Sequence, residues 1–313
     1  MESYDGKVHQ LNNKAAIKGL FGEGVCISAK EEFEKQQIIW ESFYSLSRMD
    51  KGGFSTKAKR ALTLVEKYVK ISRPLSSCNR RVIINEHEYD YSFSMELLNG
   101  VPIQDYIDII GDSEAFNLSD DYLNCAGEGF QPMLHLSSNS EIPSKFFTNI
   151  YTQRIIHCGD PLRGFFMSLD EIRLLEGILD KYNSELTVED IALMMGFIYG
   201  WIYYATEIIS RDIEITLGVY NGEVKVNVLD FGATVDMRNL DTLERSPQNY
   251  DLYTLVDKYP PGKDRDMAID EYTQILLAQD IYAYLERDIH GDHFVYMLNV
   301  EGWDLAKKAA GYL

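Results

Sequence analysis

The sequence lacks the features that mark several large classes of protein. No apolar run approaches the roughly 18 residues that a helix needs to cross a bilayer. The first ten residues, MESYDGKVHQ, contain no apolar stretch like that of a secretory signal. The four cysteines are at least 33 residues apart, which excludes a zinc ribbon or a small disulfide scaffold. We therefore expect a cytoplasmic protein with no transmembrane segment.

Positive charge is also scarce, and it is concentrated in one place. The chain has 30 lysines and arginines against 49 acidic residues, a net charge of −19, so we expect no nucleic-acid partner. Residues 48–81 nevertheless contain ten basic and two acidic residues, whereas residues 82–144 contain twelve acidic and no basic ones. This asymmetry indicates one of two things. Either the basic face pairs with an acidic face of the same chain, or it is a site for a polyanionic activator such as an inositol phosphate. The candidate residues of that site are Lys57, Lys59, Arg60, Lys67 and Lys70.

Apolar periodicity and turn signals predict strands first and helices later. The predicted strands cover residues 8–20, 81–84 and 89–97, and the predicted helices cover residues 30–46, 56–71, 168–182 and 187–204. From Val101 onward the chain is predicted to be mostly helical. This order favours an α+β protein with a small sheet-rich N-lobe (residues 1–98) and a larger helical C-lobe (residues 99–313) that carries a long insert.

The most informative segment is a predicted β-hairpin within residues 208–232. Two strand-like runs flank Asn221-Gly222, which is the strongest short-range hairpin signal. Asp212 precedes the first strand and Asp230 follows the second, so antiparallel pairing brings the two carboxylates to one end of the hairpin. Two close carboxylates repel unless a cation lies between them, an arrangement that suits metal-dependent phosphoryl transfer.

Ser210-Arg211-Asp212 and Asp230-Phe231-Gly232 resemble the catalytic loop and the metal-binding motif of the protein-kinase superfamily. The resemblance implies a bilobal protein-kinase-like fold that uses ATP with Mg²⁺ or Mn²⁺. It also implies that Asp230 holds the metal, that Asp212 orients or deprotonates an acceptor hydroxyl, and that Arg211 braces the loop. The acceptor would belong to a protein or a small molecule.

Further motifs near the N-terminus extend the resemblance. Ala15-Ala16-Ile17-Lys18 is similar to the strand motif whose lysine pairs with the phosphates of the nucleotide. Gly6 and Val8 would belong to a glycine-rich phosphate loop, of which one glycine remains. Glu34 is expected to form an ion pair with Lys18.

Two points about the nucleotide site complete this expectation. Glu31 and Glu32 are close alternatives to Glu34. The stretch from Tyr91 to Gly100 resembles the strand and hinge against which an adenine lies, with Met95, Glu96 and Leu97 supplying backbone hydrogen bonds to the base.

Several positions depart from the kinase pattern. Leu217 replaces the asparagine that binds a second metal, Glu214 replaces a lysine, and Ser210 replaces the histidine. Either the metal is held by Asp230 with Glu214 or Asp212, or catalysis has been lost. The pattern from Gln153 to Pro261 is closer to a divergent kinase-like family that is common in fungi and catalogued as a domain of unknown function.

Three functions therefore remain open. The first is an atypical kinase-like phosphotransferase that moves the γ-phosphate of ATP to a hydroxyl. The alternatives are a pseudokinase scaffold that binds a protein partner and a nucleotidyl transferase on the same fold. A compact, divergent kinase would also suit a secreted microbial effector, in which case its location would be the cytosol of a host.

Overall fold

The computed structural model describes most of the chain outside the long insert. The described residues are 7–12, 14–20, 25–84, 87–102, 105, 108–109, 133–135, 164–166, 170–211, 213–243, 245–246, 249–285 and 300–312. Gly6 and Asp212 lie outside these residues, as does the side chain of Val8. The described part combines helices with two main sheets, so the predicted α+β class is confirmed.

The first sheet is antiparallel and has the strand order β1-β2-β5-β4. Its strands are β1 (Lys7–Asn12), β2 (Ala15–Leu20), β4 (Pro74–Ile84) and β5 (His87–Glu96). Helix α1 (Val25–Leu46) connects β2 to the later elements and packs on β4 and β5. The ring edge of Phe33 on α1 meets the ring of Phe93 on β5, with their centroids 6.1 Å apart. This contact fixes the first half of α1 over the centre of the sheet.

The second sheet has the order β3-β10-β9-β6-β7 and is built around the predicted hairpin. Its strands are β3 (Val69–Ile71), β6 (Met133–His135), β7 (Gly164–Phe166), β9 (Glu214–Tyr220) and β10 (Glu223–Leu229). The hairpin turn has φ values of 53° at Asn221 and 81° at Gly222, left-handed conformations that an Asn-Gly pair adopts readily. The hairpin prediction is confirmed, whereas β6 and β7 are strands in a region where the sequence predicted mainly helix.

Helix α4 is the centre of the hydrophobic core. The remaining helices are α2 (Thr56–Tyr68), α3 (Asp170–Lys181), α4 (Val188–Thr206), α5 (Tyr250–Lys258) and α6 (Lys263–Leu285), and residues 300–309 are also helical. Almost every residue of α4 is buried, so the backbone N–H groups of its first turn need hydrogen-bond partners within the protein. Thr187 and Asp190 do this through a reciprocal capping box, as the sequence predicted for Thr187. A two-stranded pair, β8 (Ile208–Ile209) with β11 (Val235–Asp236), and a 3₁₀ helix (Met237–Thr242) follow α4.

The basic segment 48–81 differs from its prediction in two ways. The predicted helix 56–71 ends at Tyr68, and residues 69–71 form β3, which pairs in parallel with β10. Helix α2 buries Ala58, Ala61, Leu62 and Val65 and packs against α4. In the same segment, residues 74–81 already belong to β4 of the first sheet, although the sequence predicted a strand only from residue 81. The boundary of the N-lobe stays a prediction.

No helix among the described residues is long and apolar enough to cross a membrane.

Candidate functional site

Lys18 joins two acidic side chains that are far apart in the sequence. Its Nζ lies 2.7 Å from Oε1 of Glu32 and 2.9 Å from Oδ1 of Asp230. Lys18 is on β2, Glu32 is on α1, and Asp230 directly follows β10. Lys18 and Glu32 are 8% and 6% exposed, whereas the side chain of Asp230 is 40% exposed. One lysine thus connects the first sheet, helix α1 and the end of the hairpin.

Local packing explains why these groups meet. Lys18 lies opposite Phe93 in the β2–β5 ladder, and Phe93 contacts Phe33, which is the residue after Glu32. The aromatic contact therefore holds the helix turn that carries Glu32 directly above Lys18. The sequence predicted the lysine and the aspartate of this site.

The predicted partner of Lys18, Glu34, is wrong. Glu34 is exposed and lies 3.5 Å from Lys30, one turn earlier on the same helix. Glu32 belongs to the buried face of α1 together with Gln36 and Ile39, at the helical spacing of i, i+4 and i+7. That apolar periodicity was the signal that could have selected Glu32.

The cluster carries one more negative charge than positive charge. Burial by itself disfavours the ammonium of Lys18, but the charges of Asp230 and Glu32 outweigh it and raise its pKa above the ordinary value. Burial raises the pKa of Glu32, and the negative charge of Asp230 acts in the same direction. A second cation near the exposed side of Asp230 would therefore be electrostatically favourable.

The backbone after β10 is shaped around these carboxylates. Asp230 has a φ of 55°, and its Oδ1 accepts a long hydrogen bond of 3.4 Å from the Gly232 N–H. A Cβ added to Gly232 would lie 3.2 Å from Oε2 of Glu32, closer than most such contacts. Glycine at this position lets the segment pass beside the carboxylate.

Lys35 fastens the same segment to α1. Its Nζ donates to the carbonyl oxygens of Thr234 at 2.6 Å and of Gly232 at 3.2 Å. Burial lowers the pKa of Lys35 below its ordinary value. No pattern in the sequence selects this residue, because its partners are main-chain carbonyls far away in the chain.

Of the remaining predicted residues, Glu214 lies at the end of the hairpin that carries Asp230. Glu214 is the first residue of β9 and is paired with Leu229, the neighbour of Asp230. Leu217 is fully buried inside the sheet. Nη1 of Arg211 donates to Oδ1 of Asn249 at 3.0 Å. No group of three potential metal ligands occurs among the described residues, which do not include Asp212.

The predicted base-binding residues are already engaged. Met95 is paired on both sides because β5 is an inner strand of the sheet. The N–H of Glu96 donates to Arg73 O at 2.8 Å, and the N–H of Leu97 donates to Lys14 O at 3.0 Å. The N–H groups of Glu96 and Leu97 are therefore used within the chain, and the predicted hydrogen bonds to a base stay a prediction. Leu98 is the first residue after β5 whose N–H has no partner in the described part of the chain.

The connector after β5 is fixed to the hairpin by a polar network. The Asn99 N–H donates to the Tyr220 hydroxyl at 2.8 Å, and the Asn99 side chain donates to Val219 O at 3.1 Å. The Asn227 side chain donates to Asn99 O at 2.8 Å. A Cβ on Gly218 would lie only 2.0 Å from Asn99 O, so this close approach requires glycine. We call this network, formed by Asn99, Gly218, Val219, Tyr220 and Asn227, the connector clasp.

Most of the predicted polyanion residues are paired within the chain. Lys57, Arg60, Lys67 and Lys70 lie 2.6 to 3.0 Å from Glu301, Asp190, Glu185 and Glu96 respectively. Lys59 contacts the carbonyl of Gly52 at 3.5 Å. At four of the five positions, the positive charge is thus paired with a carboxylate of the same chain. The activator site stays a prediction.

Comparisons with known proteins add little to this geometry. No protein-family model matches the chain, and no curated protein matches it. A solved structure titled as the streptomycin-ATP-APH(2'')-IIa ternary complex is 14% identical, with 98% of this chain and 91% of that chain covered and a TM-score of 0.23. The gentamicin-APH(2'')-IIa complex is 14% identical, with 99% and 91% covered and a TM-score of 0.22. Likeness at this level does not establish a shared fold, and the resemblance to the fungal family stays a prediction.

Proposed function

We propose that the chain is an ATP-dependent phosphotransferase of the protein-kinase-like type. The observation that carries this proposal is the contact of Lys18 with both Glu32 and Asp230. A buried lysine held by a helix carboxylate, beside a partly exposed aspartate that begins an Asp-Phe-Gly segment, is the arrangement with which kinases position phosphates and metal. The three residues come from three separate segments, namely β2, α1 and the end of the hairpin, and meet at one point.

Each residue has a separate task in this proposal. Glu32 holds the ammonium of Lys18 in place, and Lys18 binds phosphate oxygens of the nucleotide. Asp230, through its exposed side, would hold Mg²⁺ or Mn²⁺, and Glu214 would be the second ligand, since it begins β9 beside the end of β10. The excess negative charge of the cluster and the oxygen ligands fit a hard divalent cation. When bound, the metal would neutralise charge on the transferred phosphoryl group.

The adenine would lie against the end of β5. The Glu96 carbonyl and the Leu98 N–H are the acceptor and donor proposed to bind the base, in place of the donors predicted from sequence. The Glu96 carbonyl already accepts from the Ser72 hydroxyl at 2.8 Å, and a carbonyl oxygen has a second lone pair for the base.

The reaction proposed is transfer of the terminal phosphoryl group to a hydroxyl. A new bond forms between phosphorus and the acceptor oxygen, the bond from phosphorus to the bridging oxygen of ADP breaks, and the hydroxyl proton leaves to a base. Asp212 is the predicted base, and it lies outside the described residues. The acceptor, a protein or a small molecule, is identified by neither the fold nor the site.

Calorimetric titration with ATP in the presence and absence of Mn²⁺ or Mg²⁺ tests the proposal. Asp230→Asn is the informative variant, because asparagine tolerates the left-handed backbone of this position while losing the charge. Glu223→Gln is the matched control, since Glu223 is an exposed acid at the other end of the same hairpin. We expect metal-dependent binding in the wild type and in the control, and its loss in Asp230→Asn.

A second candidate is a scaffold that binds nucleotide without catalysis. The observation that favours it is the burial of Leu217, which removes a metal ligand of active kinases. Transfer of label from ATP to any acceptor in a proteome, lost in Asp230→Asn, would decide for the enzyme. Absence of nucleotide binding in the wild type, with each metal, would contradict both candidates.

A further inference from the structure

Two arginines of the basic segment differ from its other cations. The structure describes the side chains of eight lysines and arginines between residues 48 and 81, and five of them pair with a carboxylate. Arg48 and Arg73 are exposed and pair with no acidic residue in the described part of the chain. Both arginines contact aromatic rings instead. Two arginines without a carboxylate partner thus lie in the basic segment of a protein whose net charge is −19.

These arginines are the two ends of a stack of planar groups. The Arg73 guanidinium carbon lies 5.9 Å from the centre of the Trp40 ring. Trp40 stacks on Tyr44 with ring centres 5.4 Å apart and an interplanar angle of 10°. The Arg48 guanidinium carbon lies 4.8 Å from the centre of the Tyr44 ring. We call this set of four side chains the arginine–aromatic column.

The column is open to solvent, and an exposed apolar residue follows Arg73 closely in the sequence. Tyr44 is 54% exposed, and Leu75, two residues beyond Arg73, is 41% exposed. Trp40 and Tyr44 are four residues apart on α1 and share one face of that helix, and Arg48 lies in the turn that directly follows it. An exposed tyrosine and a half-buried tryptophan next to arginines without a carboxylate partner are the composition of a protein-binding surface.

From these contacts we infer that the column is a docking surface for an acidic, extended segment of a partner protein. A guanidinium that stacks on a ring keeps N–H groups at its edge, and these match the two oxygens of a carboxylate. Arg48 uses one N–H for the Tyr44 hydroxyl, at 3.2 Å, and retains the others. The two stacked rings thus lie between the contacts that the two guanidinium groups make.

The distance between the two guanidinium groups determines which peptide segment fits the column. The three successive distances of 5.9, 5.4 and 4.8 Å limit the separation of the two guanidinium carbons to at most about 16 Å. An extended chain advances roughly 3.3 Å per residue, so a segment of about four or five residues reaches from one arginine to the other. The expected segment therefore has two acidic residues four or five positions apart, with an apolar side chain between them to cover the rings. A polyphosphate or an anionic membrane would favour a compact group of several cations, whereas here two cations are separated by two rings.

The column lies close to the candidate nucleotide site, although its inferred role in docking does not depend on the proposed function. The carbonyl of Arg73 accepts from the Glu96 N–H, and the preceding residue, Ser72, accepts from the Gln36 side chain on α1 at 2.7 Å. Docking on the column would therefore contact the segment that ends at the proposed base-binding residues.

A peptide array tests the inference directly. The array presents capped twelve-residue peptides in which two glutamates, two to eight positions apart, flank a central leucine or phenylalanine. Control peptides carry glutamine in place of both glutamates. The full-length protein is applied as wild type, as Arg48→Gln/Arg73→Gln, and as Lys59→Gln. Lys59 is the control, since it is an exposed cation of the same segment outside the column.

We expect retention of the wild type and of Lys59→Gln to peak at separations of four and five, and to fall at least tenfold for the double arginine variant. Glutamine peptides should retain none of the three proteins. Equal retention at all separations, equal retention of the double variant, or no retention of the wild type would overturn the inference. Tighter binding to inositol hexakisphosphate or to phosphatidylserine vesicles than to any peptide would overturn it as well. Thermal unfolding of all variants excludes misfolding as the cause of a loss.

Discussion

Replacement of Glu32 by glutamine tests whether the contact with Lys18 holds the site together. The glutamine side chain would retain an oxygen that can accept from Lys18 but would lose the charge. A hydrogen bond to a charged group contributes about 1.5–3 kcal/mol, and relief from burying the carboxylate offsets part of this. We therefore expect the free energy of unfolding to fall by about 1–2 kcal/mol.

Glu34→Gln is a closely matched control for this variant. Glu34 is on the same helix, is exposed, and pairs with Lys30 at 3.5 Å. Such a pair contributes about 0.3–0.5 kcal/mol, so urea unfolding should distinguish the two variants clearly.

Nucleotide affinity gives a second measure of the same prediction. Without the charge of Glu32, Lys18 is attracted to Asp230 alone, and it then competes with the metal for this carboxylate. We expect the Kd for ATP with Mg²⁺ to rise about tenfold in Glu32→Gln, which is about 1.4 kcal/mol, and to stay unchanged in Glu34→Gln. The reasoning would be refuted if Glu34→Gln were the more damaging variant, or if Glu32→Gln matched the wild type in both assays.

Three further predictions concern the supports of the site. Burial lowers the pKa of Lys35 below its ordinary value of 10.5. Between these two pKa values the unfolded chain binds more protons than the folded one, so the free energy of unfolding rises with pH. Lys35→Met should remove this rise in urea titrations at several pH values, and a rise that persists would contradict its assignment to Lys35. Gly218→Ala should destabilise the fold by about 3 kcal/mol, because its Cβ would lie 2.0 Å from Asn99 O, whereas Gly53→Ala, with no atom within 4 Å, should change the unfolding midpoint very little. Thr187→Ala should cost about 1 kcal/mol in thermal unfolding through loss of the helix cap.

Local signals in the sequence predicted the elements that depend on local chemistry. The hairpin followed from Asn221-Gly222 between two strand-like runs, and the start of α4 followed from Thr187, since turns and caps are formed by neighbouring residues. Lys18 and Asp230 were found because short motifs surround them. The residues around these positions identify them without knowledge of the rest of the fold.

Features that depend on distant partners were not predictable in this way. Residues 69–71 continue the helical pattern of α2, but they form a strand because β10 offers a parallel edge. Glu32 and Glu34 look alike in a run of acidic residues. The helical spacing from Ile39 favours Glu32, and the packing of Phe33 on Phe93 places it over Lys18. The donors of Glu96 and Leu97 are used by Arg73 and Lys14, which no local pattern indicates.

The connector clasp determines how the protein can move. A chain segment that links two parts of a protein acts as a hinge only if its backbone torsions are free to change. Asn99 is fixed on three sides by the β9–β10 hairpin, so the end of β5 and the hairpin that leads to Asp230 behave mechanically as one body. A displacement at one end of this body is transmitted to the other rather than absorbed. We therefore expect no hinge at this connector when a ligand enters or leaves the site.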